Sequence, residues 1–302
     1  MRTRVSCAWL AIIPALLWHM PAWPRSPAEI IAAASPAEWR RLDPDNGLLL
    51  DLAGHSVIIE LAPRFAPLHV ANIKRLAHEH FYDGLAVVRV QDNYVTQWGD
   101  PDADDPAKAR SLGGAAPHLP AEFWIHAKGL PIDRLPDPDG WAPLTGFVDG
   151  FPVAVDQAHD RAWITHCYGI VGAGRSSAID SSTGAELYAI IGQSPRGLDR
   201  NITVVGRVLR GMEFLAALPR GTGMMGFYQE PQQRTIITSV RLLADLPEAQ
   251  RPTLELLRTE SATWRALVAE RRNFSNDFFV TKANFTNVCN VAVPVRVATP
   301  RS

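Results

Sequence analysis

The chain has 302 residues, of which 47% are hydrophobic and 20% charged, enough to bury a full core and ordinary for a globular protein. With 30 Lys and Arg against 31 Asp and Glu, the net charge is -1. Such a balance provides no field to hold nucleic acid or an anionic membrane.

The N-terminus reads as an export signal. Arg2 and Arg4 precede an apolar run from Ala8 to Trp18, broken only by Pro14, and small residues follow at Ala22 and at Ala32-Ala33-Ala34. The run falls short of the roughly 20 residues that span a bilayer. Residues 1–22 are therefore expected to be cleaved, with a cut as far along as residue 34 as the alternative, and the mature chain is expected in the periplasm or secreted. Cys167 and Cys289 remain. An oxidising compartment permits a bridge between them; two buried free thiols are the alternative.

Folded structure begins with two alternating strands. Leu48, Leu50 and Leu52 share one side, Val57, Ile59 and Leu61 repeat the period of two, and Ala53-Gly54-His55-Ser56 makes a short hairpin connection. Pro67 opens a helix with Val70, Ile73, Leu76 and Ala77 on one face. A second hairpin follows, carrying Arg89 in an apolar strand, then Tyr94, Val95 and Gln97. Hairpin, helix, hairpin argues for an antiparallel barrel or sandwich and against a doubly wound parallel sheet.

Residues 101–160 are rich in Pro, Gly and Asp and read as long surface loops around a few short strands, decorating the same domain. Regular structure returns at Trp163–Ala173, Ala185–Gly192 and Ile202–Val208, then in a short helix at 210–218 and a closing strand at Gln233–Leu243. After Pro252, Leu254, Leu257, Trp264, Leu267 and Val268 read as one helical face, and Phe278–Val297 as extended chain. The expected organisation is a barrel domain over 45–245 and an appendage over 246–302 packed on it.

Most catalytic patterns are absent or out of context. His78-Glu79-His80 lacks the i, i+4 spacing of two ligands on one helix face. The acidic clusters 102–105 and 137–139 lack the glycine and glutamate of a calcium loop. Gly172-Ala173-Gly174 has no helix after it, and the serines at 176, 177, 181 and 182 lack the strand-turn-helix setting of a nucleophile. Arg89 and Gln97, with an aromatic residue between them in sequence, suit gripping an uncharged peptide.

The block Phe81-Tyr82-Asp83-Gly84 through Arg89-Val90, Tyr94, Gln97 and Gly99-Asp100 resembles the signature of cyclophilin-type peptidyl-prolyl isomerases. Further pieces follow in that family's order: Glu122-Phe123, Gly169-Ile170-Val171, Gly184-Ala185-Glu186-Leu187-Tyr188, Leu198-Asp199, Val204–Val208 and Gly211-Met212-Glu213. The resemblance spans roughly Leu48 to Leu243. It implies a mainly β fold, a closed eight-stranded antiparallel barrel capped by two helices, isomerising Xaa-Pro bonds with no cofactor and no metal. By the same resemblance Arg89 and Gln97 are catalytic, and Tyr94, Val95, Glu186, Tyr188 and Leu198 bind substrate. The expected partners are proline-containing unfolded or flexible polypeptides, met by a monomer with no membrane span. The chain departs from the family at Val88 and Ile202, where histidines are usual, at Glu186, where glutamine is usual, and at Arg196-Gly197, where a tryptophan is common. Arg175 stands where the family has asparagine. These departures make a catalytically weak peptide- or protein-binding module the alternative function.

Overall fold

The structure, a computed structural model, describes residues 26–274, 276 and 278–298. The expected signal segment 1–22 lies outside the described residues. The first half carries α1 (Pro27–Ala32), β1 (Trp39–Arg41), β2 (Gly47–Leu52), β3 (His55–Leu61), α2 (Pro67–His78), β4 (Ala86–Val90) and β5 (Val95–Gly99). Next come β6 (Asp133–Arg134), β7 (Leu144–Val148), β8 (Phe151–Asp156), β9 (Arg161–Ile164), β10 (Ile170–Ala173) and β11 (Leu187–Ile190). The chain continues with β12 (Val204–Arg210), α3 (Met212–Ala217), β13 (Ile237–Leu242), β14 (Leu254–Leu257), α4 (Ala262–Arg272) and β15 (Val295–Val297).

Eight strands form one antiparallel sheet in the order β13-β2-β3-β12-β10-β11-β5-β4. The β2–β3 turn places Ala53 and Gly54 at φ 51° and 84°, the twist that suits a two-residue hairpin. Alternation then sends Leu48, Leu50, Leu52, Val57, Ile59 and Leu61 into the barrel interior. Two helices close on the same cluster: α2 through Val70, Ile73, Leu76 and Ala77, and α3 through Leu215. Glu122 caps α2, its carboxylate accepting from Leu68 N at 3.0 Å and His69 N at 2.9 Å.

The two end strands nearly close the barrel, and the Phe81–Gly84 block makes the seam. Gly84 N donates to Ile237 O and Ile237 N to Leu85 O, each at 2.8 Å. Asp83 takes both Nη atoms of Arg241 at 2.8 and 2.6 Å, while Tyr82 packs inside and its hydroxyl donates to Gly184 O at 2.7 Å. The expected eight-stranded antiparallel barrel with its two helices is present.

Residues 133–164 hold more regular structure than the long loops with a few short strands expected over 101–160. They form a four-stranded meander, β6-β7-β8-β9, whose Phe147, Val148, Phe151, Val153 and Val155 are buried. Asp149-Gly150, both at positive φ (51° and 81°), form its central hairpin turn. This sheet builds a second apolar cluster with β10–β12, α1 and α4. The appended segment also departs from the one-face helix reading. Leu254 and Leu257 lie on β14, which joins β1 and β15 in a third sheet, and only Trp264, Leu267 and Val268 of that set lie on α4. The four residues Leu-Glu-Leu-Leu are too few to show a period, so the pattern could not separate strand from helix there. Trp264 meets Phe147 edge-on at 4.8 Å, and a disulfide joins Cys167 to Cys289. No helix among the described residues is long and apolar enough to cross a membrane.

Candidate active site

Strict alternation would put Arg89 on the same side as Val87, inside the barrel. A register shift prevents this: Val87 faces Trp98, yet Arg89 faces Gln97, with Val88 as the extra residue. Such a bulge re-aims the side chain that follows it. Arg89 therefore leaves the barrel on its outer face, opposite Gln97 on β5, and Gln97 is in turn opposite Tyr188 on β11. Val95 and Tyr188 face the same way and enter the second cluster, with Tyr94 and Ile202 packed against it.

Arg89 is 7% exposed. Its Nε donates to Met225 O at 2.7 Å, Nη1 to Gln97 Oε1 at 3.1 Å, and Nη2 to Gln91 Oε1. The rings of Tyr94 and Phe227 each lie 5.3 Å from the guanidinium carbon. Burial pulls the Arg89 pKa below the ordinary arginine value, Tyr94 and Glu186 oppose it, and a guanidinium stays charged throughout. These contacts use three of its five N–H groups, which leaves donors for a substrate atom.

Gln97 is a relay. Its Oε1 accepts from Arg89 while its Nε2 donates to Glu186 Oε1, so the Glu186 carboxylate fixes which way the amide points. Burial pushes the Glu186 carboxyl pKa up, with Asp104 adding to the rise and Gln97 and Arg89 opposing it. The folded-state pKa is thus above the unfolded one. Ionised Glu186 costs stability, and that cost grows as pH rises through the raised value. Glu186→Gln is accordingly expected to unfold at higher denaturant at neutral pH. It is also expected to remove an acid-side fall in wild-type turnover lying above the usual glutamate range. Paired pH–rate profiles check this; superimposable acid limbs would contradict the relay.

Tyr188 is 4% exposed, and its hydroxyl is held from behind. It meets His166 Nε2 at 3.0 Å, and His166 Nδ1 meets Asp199 Oδ1 at 3.0 Å. Asp199 Oδ2 takes Arg196 Nε at 2.6 Å and Trp163 Nε1 at 3.1 Å, and Arg196 forks onto Asp139 with two 3.0 Å bonds. Burial pushes the Asp199 pKa up, but His166 and Arg196 outweigh it and hold the carboxyl below the usual range. An ionised carboxylate can only accept, so His166 Nδ1 donates to Asp199. Gly172 stands opposite Tyr188 because any Cβ there would overlap the hydroxyl.

Direct contact joins Arg89, Gln97, Glu186 and Tyr94; strand pairing adds Val95 and Tyr188. Leu198 is half-buried at the end of the turn Arg196–Leu198, next in sequence to Asp199. Several contributors were not visible in the sequence reading: Gln91, the Met225 carbonyl, Phe227, His166 and Asp139. The three glycines of Gly221–Gly226 are the one local signal that a built turn lies there.

The outward arginine, its glutamine relay and the barrel that carries them can now be set against known proteins. Residues 50–242 match the family model described as cyclophilin type peptidyl-prolyl cis-trans isomerase/CLD. The chain belongs to the cyclophilin-type peptidyl-prolyl cis-trans isomerase family. It is 40% identical over 87 residues to a probable peptidyl-prolyl cis-trans isomerase of Brucella suis biovar 1 (strain 1330), covering 27% of this chain and 44% of that one. Over 56 residues it is 48% identical to peptidyl-prolyl cis-trans isomerase B of Bacillus subtilis (strain 168), covering 18% and 39%. These matches span less than half the length of either relative. The crystal structure of cyclophilin AquaCyp293 from Hirschia baltica superimposes with a TM-score of 0.67 at 25% identity, covering 91% of this chain and 99% of that one. That coverage reaches beyond residues 50–242, so this cyclophilin shares elements outside the region the family model matches.

Proposed function

We propose that this protein isomerises Xaa-Pro bonds in unfolded or flexible exported polypeptides, as a cofactor-free monomeric folding helper of the periplasm or cell exterior. An amide rotation of this kind breaks no bond, yet resonance sets its barrier at about 18–20 kcal/mol. In the twisted state the prolyl nitrogen regains its lone pair and becomes an acceptor. A fixed cation that donates to it only then lowers the barrier, which is differential stabilisation of the transition state. The observation that carries the reading is Arg89, aimed out of the barrel by a bulge and immobilised by Gln97 and Met225, with N–H groups to spare. Tyr94, Val95 and Tyr188 supply the apolar wall for the proline ring.

One feature supports export and another bears on where the signal is cut. The Cys167–Cys289 disulfide suits an oxidising compartment. Ile30 of α1 is buried in the second cluster, so a cut near residue 22 keeps this helix and a cut after residue 34 would discard it.

The alternative, a binding module with little turnover, is favoured by the 7% exposure of Arg89 and by the carboxylate of Glu186 beside it. The two readings separate in one experiment: cis-to-trans relaxation of an Ala-Xaa-Pro-Phe peptide after a solvent jump, alongside a binding titration of the same peptide. Acceleration supports the isomerase; binding with background relaxation supports the module.

A further inference from the structure

We propose that the turn Gly221–Phe227 is a substrate-side subsite for the apolar side chain of a residue flanking the proline in an unfolded polypeptide; the inference rests on the peptide-binding reading above. Met224 is 86% exposed, Met225 58% and Phe227 39%, three large apolar residues in four positions. Contiguous exposed apolar surface of this kind marks an interaction site more often than isolated residues do.

The turn is rigid. Gly223 N donates to Phe227 O and Gly226 N to Gly223 O, each at 3.0 Å, and Phe227 N donates to Met224 O at 3.2 Å. Its ends are sewn to the free edge of β4, Gly221 N to Val90 O at 2.9 Å and Tyr228 N to Val88 O at 3.0 Å. Gly226 lies so close to Gln91 that an added Cβ would come within 2.7 Å of its Cα. Met225 has φ 55°, a left-handed conformation that an unbranched side chain adopts at a cost. That conformation goes with a carbonyl lying 2.7 Å from Arg89 Nε. One residue therefore anchors the arginine through its backbone while its side chain and that of Met224 stand in solvent beside the site.

The chemistry of the occupant follows. Methionine is flexible and polarizable and accommodates varied apolar shapes, which suits clients that share only a proline. Arg220, just before the turn, is engaged by Asp92 at 2.9 Å, and the exposed side chains of the turn are apolar. A polypeptide lying across Arg89 runs alongside this turn, since the Met225 carbonyl and the Phe227 ring both touch the guanidinium.

The test uses the full-length protein and two peptide series, Ala-Xaa-Pro-Ala and Ala-Ala-Pro-Xaa, with Xaa as Leu or Asn, read by both binding titration and exchange rate. In one series wild type is expected to favour Leu by about tenfold, from partial burial of one aliphatic side chain. Met224→Ser should reduce that ratio to about twofold, while Met224→Leu should keep it. A ratio unchanged by Met224→Ser in both series, or no preference in wild type, overturns the proposal. So does a change in sedimentation on Met224→Ser with the peptide ratio intact, which would make the patch a contact between copies. A leucine preference in binding without accelerated exchange leaves the subsite standing and removes the isomerase reading instead.

Discussion

Arg89→Ala is expected to lower kcat/KM for Xaa-Pro isomerisation by about 10²- to 10³-fold, the effect of removing one preorganised donor from a site where charge develops. The side chain leaves from the outer wall of the barrel, so its loss empties no core position; Met225 O, Gln97 Oε1 and Gln91 Oε1 lose a donor. Peptide affinity should fall far less than turnover, because a planar prolyl nitrogen accepts no hydrogen bond. Arg89→Lys should recover little. An ammonium cannot satisfy the Met225 and Gln97 oxygens from fixed, diverging directions and still present a donor outward. Turnover of Arg89→Ala within threefold of wild type would remove Arg89 from catalysis.

Arg196→Met is expected to cost about 3–5 kcal/mol of unfolding free energy, the range for breaking a buried ion pair from one side. The Arg196, Asp139 and Asp199 side chains are 6%, 6% and 4% exposed, and the one guanidinium answers both carboxylates. Burial lowers the Arg196 pKa, but Asp139 and Asp199 outweigh it and the net shift is upward. Without it Asp139 loses both guanidinium bonds, while Asp199 keeps its bonds from His166 and Trp163. Adding Asp139→Asn to the variant should restore part of the loss, since one uncompensated charge is gone. The Asp199 contribution, from a depressed folded pKa, is full above the unfolded carboxyl value and is lost as pH falls through the folded one. Urea titrations at neutral and acid pH measure both effects. A loss below 1 kcal/mol at neutral pH would show that the network is solvated.

The barrel was legible because its strands keep a clean period of two and its seam is written in four consecutive residues, Phe81 to Gly84. Arg89, Gln97, Tyr94 and Glu186 could be named, but not their contacts. Nothing local to the sequence announces the bulge at Val88 that turns Arg89 outward, because a register shift is a property of two strands. Residues 101–160 read as long loops around a few short strands because Pro, Gly and Asp are frequent there, although Asp149-Gly150 between two apolar runs was a hairpin signal in plain view. His166 and Asp199 lie in different connections on either side of Tyr188, and the barrel brings both behind it. The Met225 carbonyl was invisible in principle: a backbone atom acquires a role from φ and ψ, and side-chain identity does not report it.

The most direct test is exchange spectroscopy on an Ala-Leu-Pro-Ala peptide with a catalytic amount of the full-length protein. Uncatalysed exchange takes tens to hundreds of seconds. Exchange cross-peaks between the cis and trans forms should appear within about 1 s of mixing for wild type and be absent for Arg89→Ala, a barrier change of a few kcal/mol. Wild-type protein that binds the peptide but leaves the exchange at its uncatalysed rate would contradict the isomerase reading and leave a peptide-binding barrel.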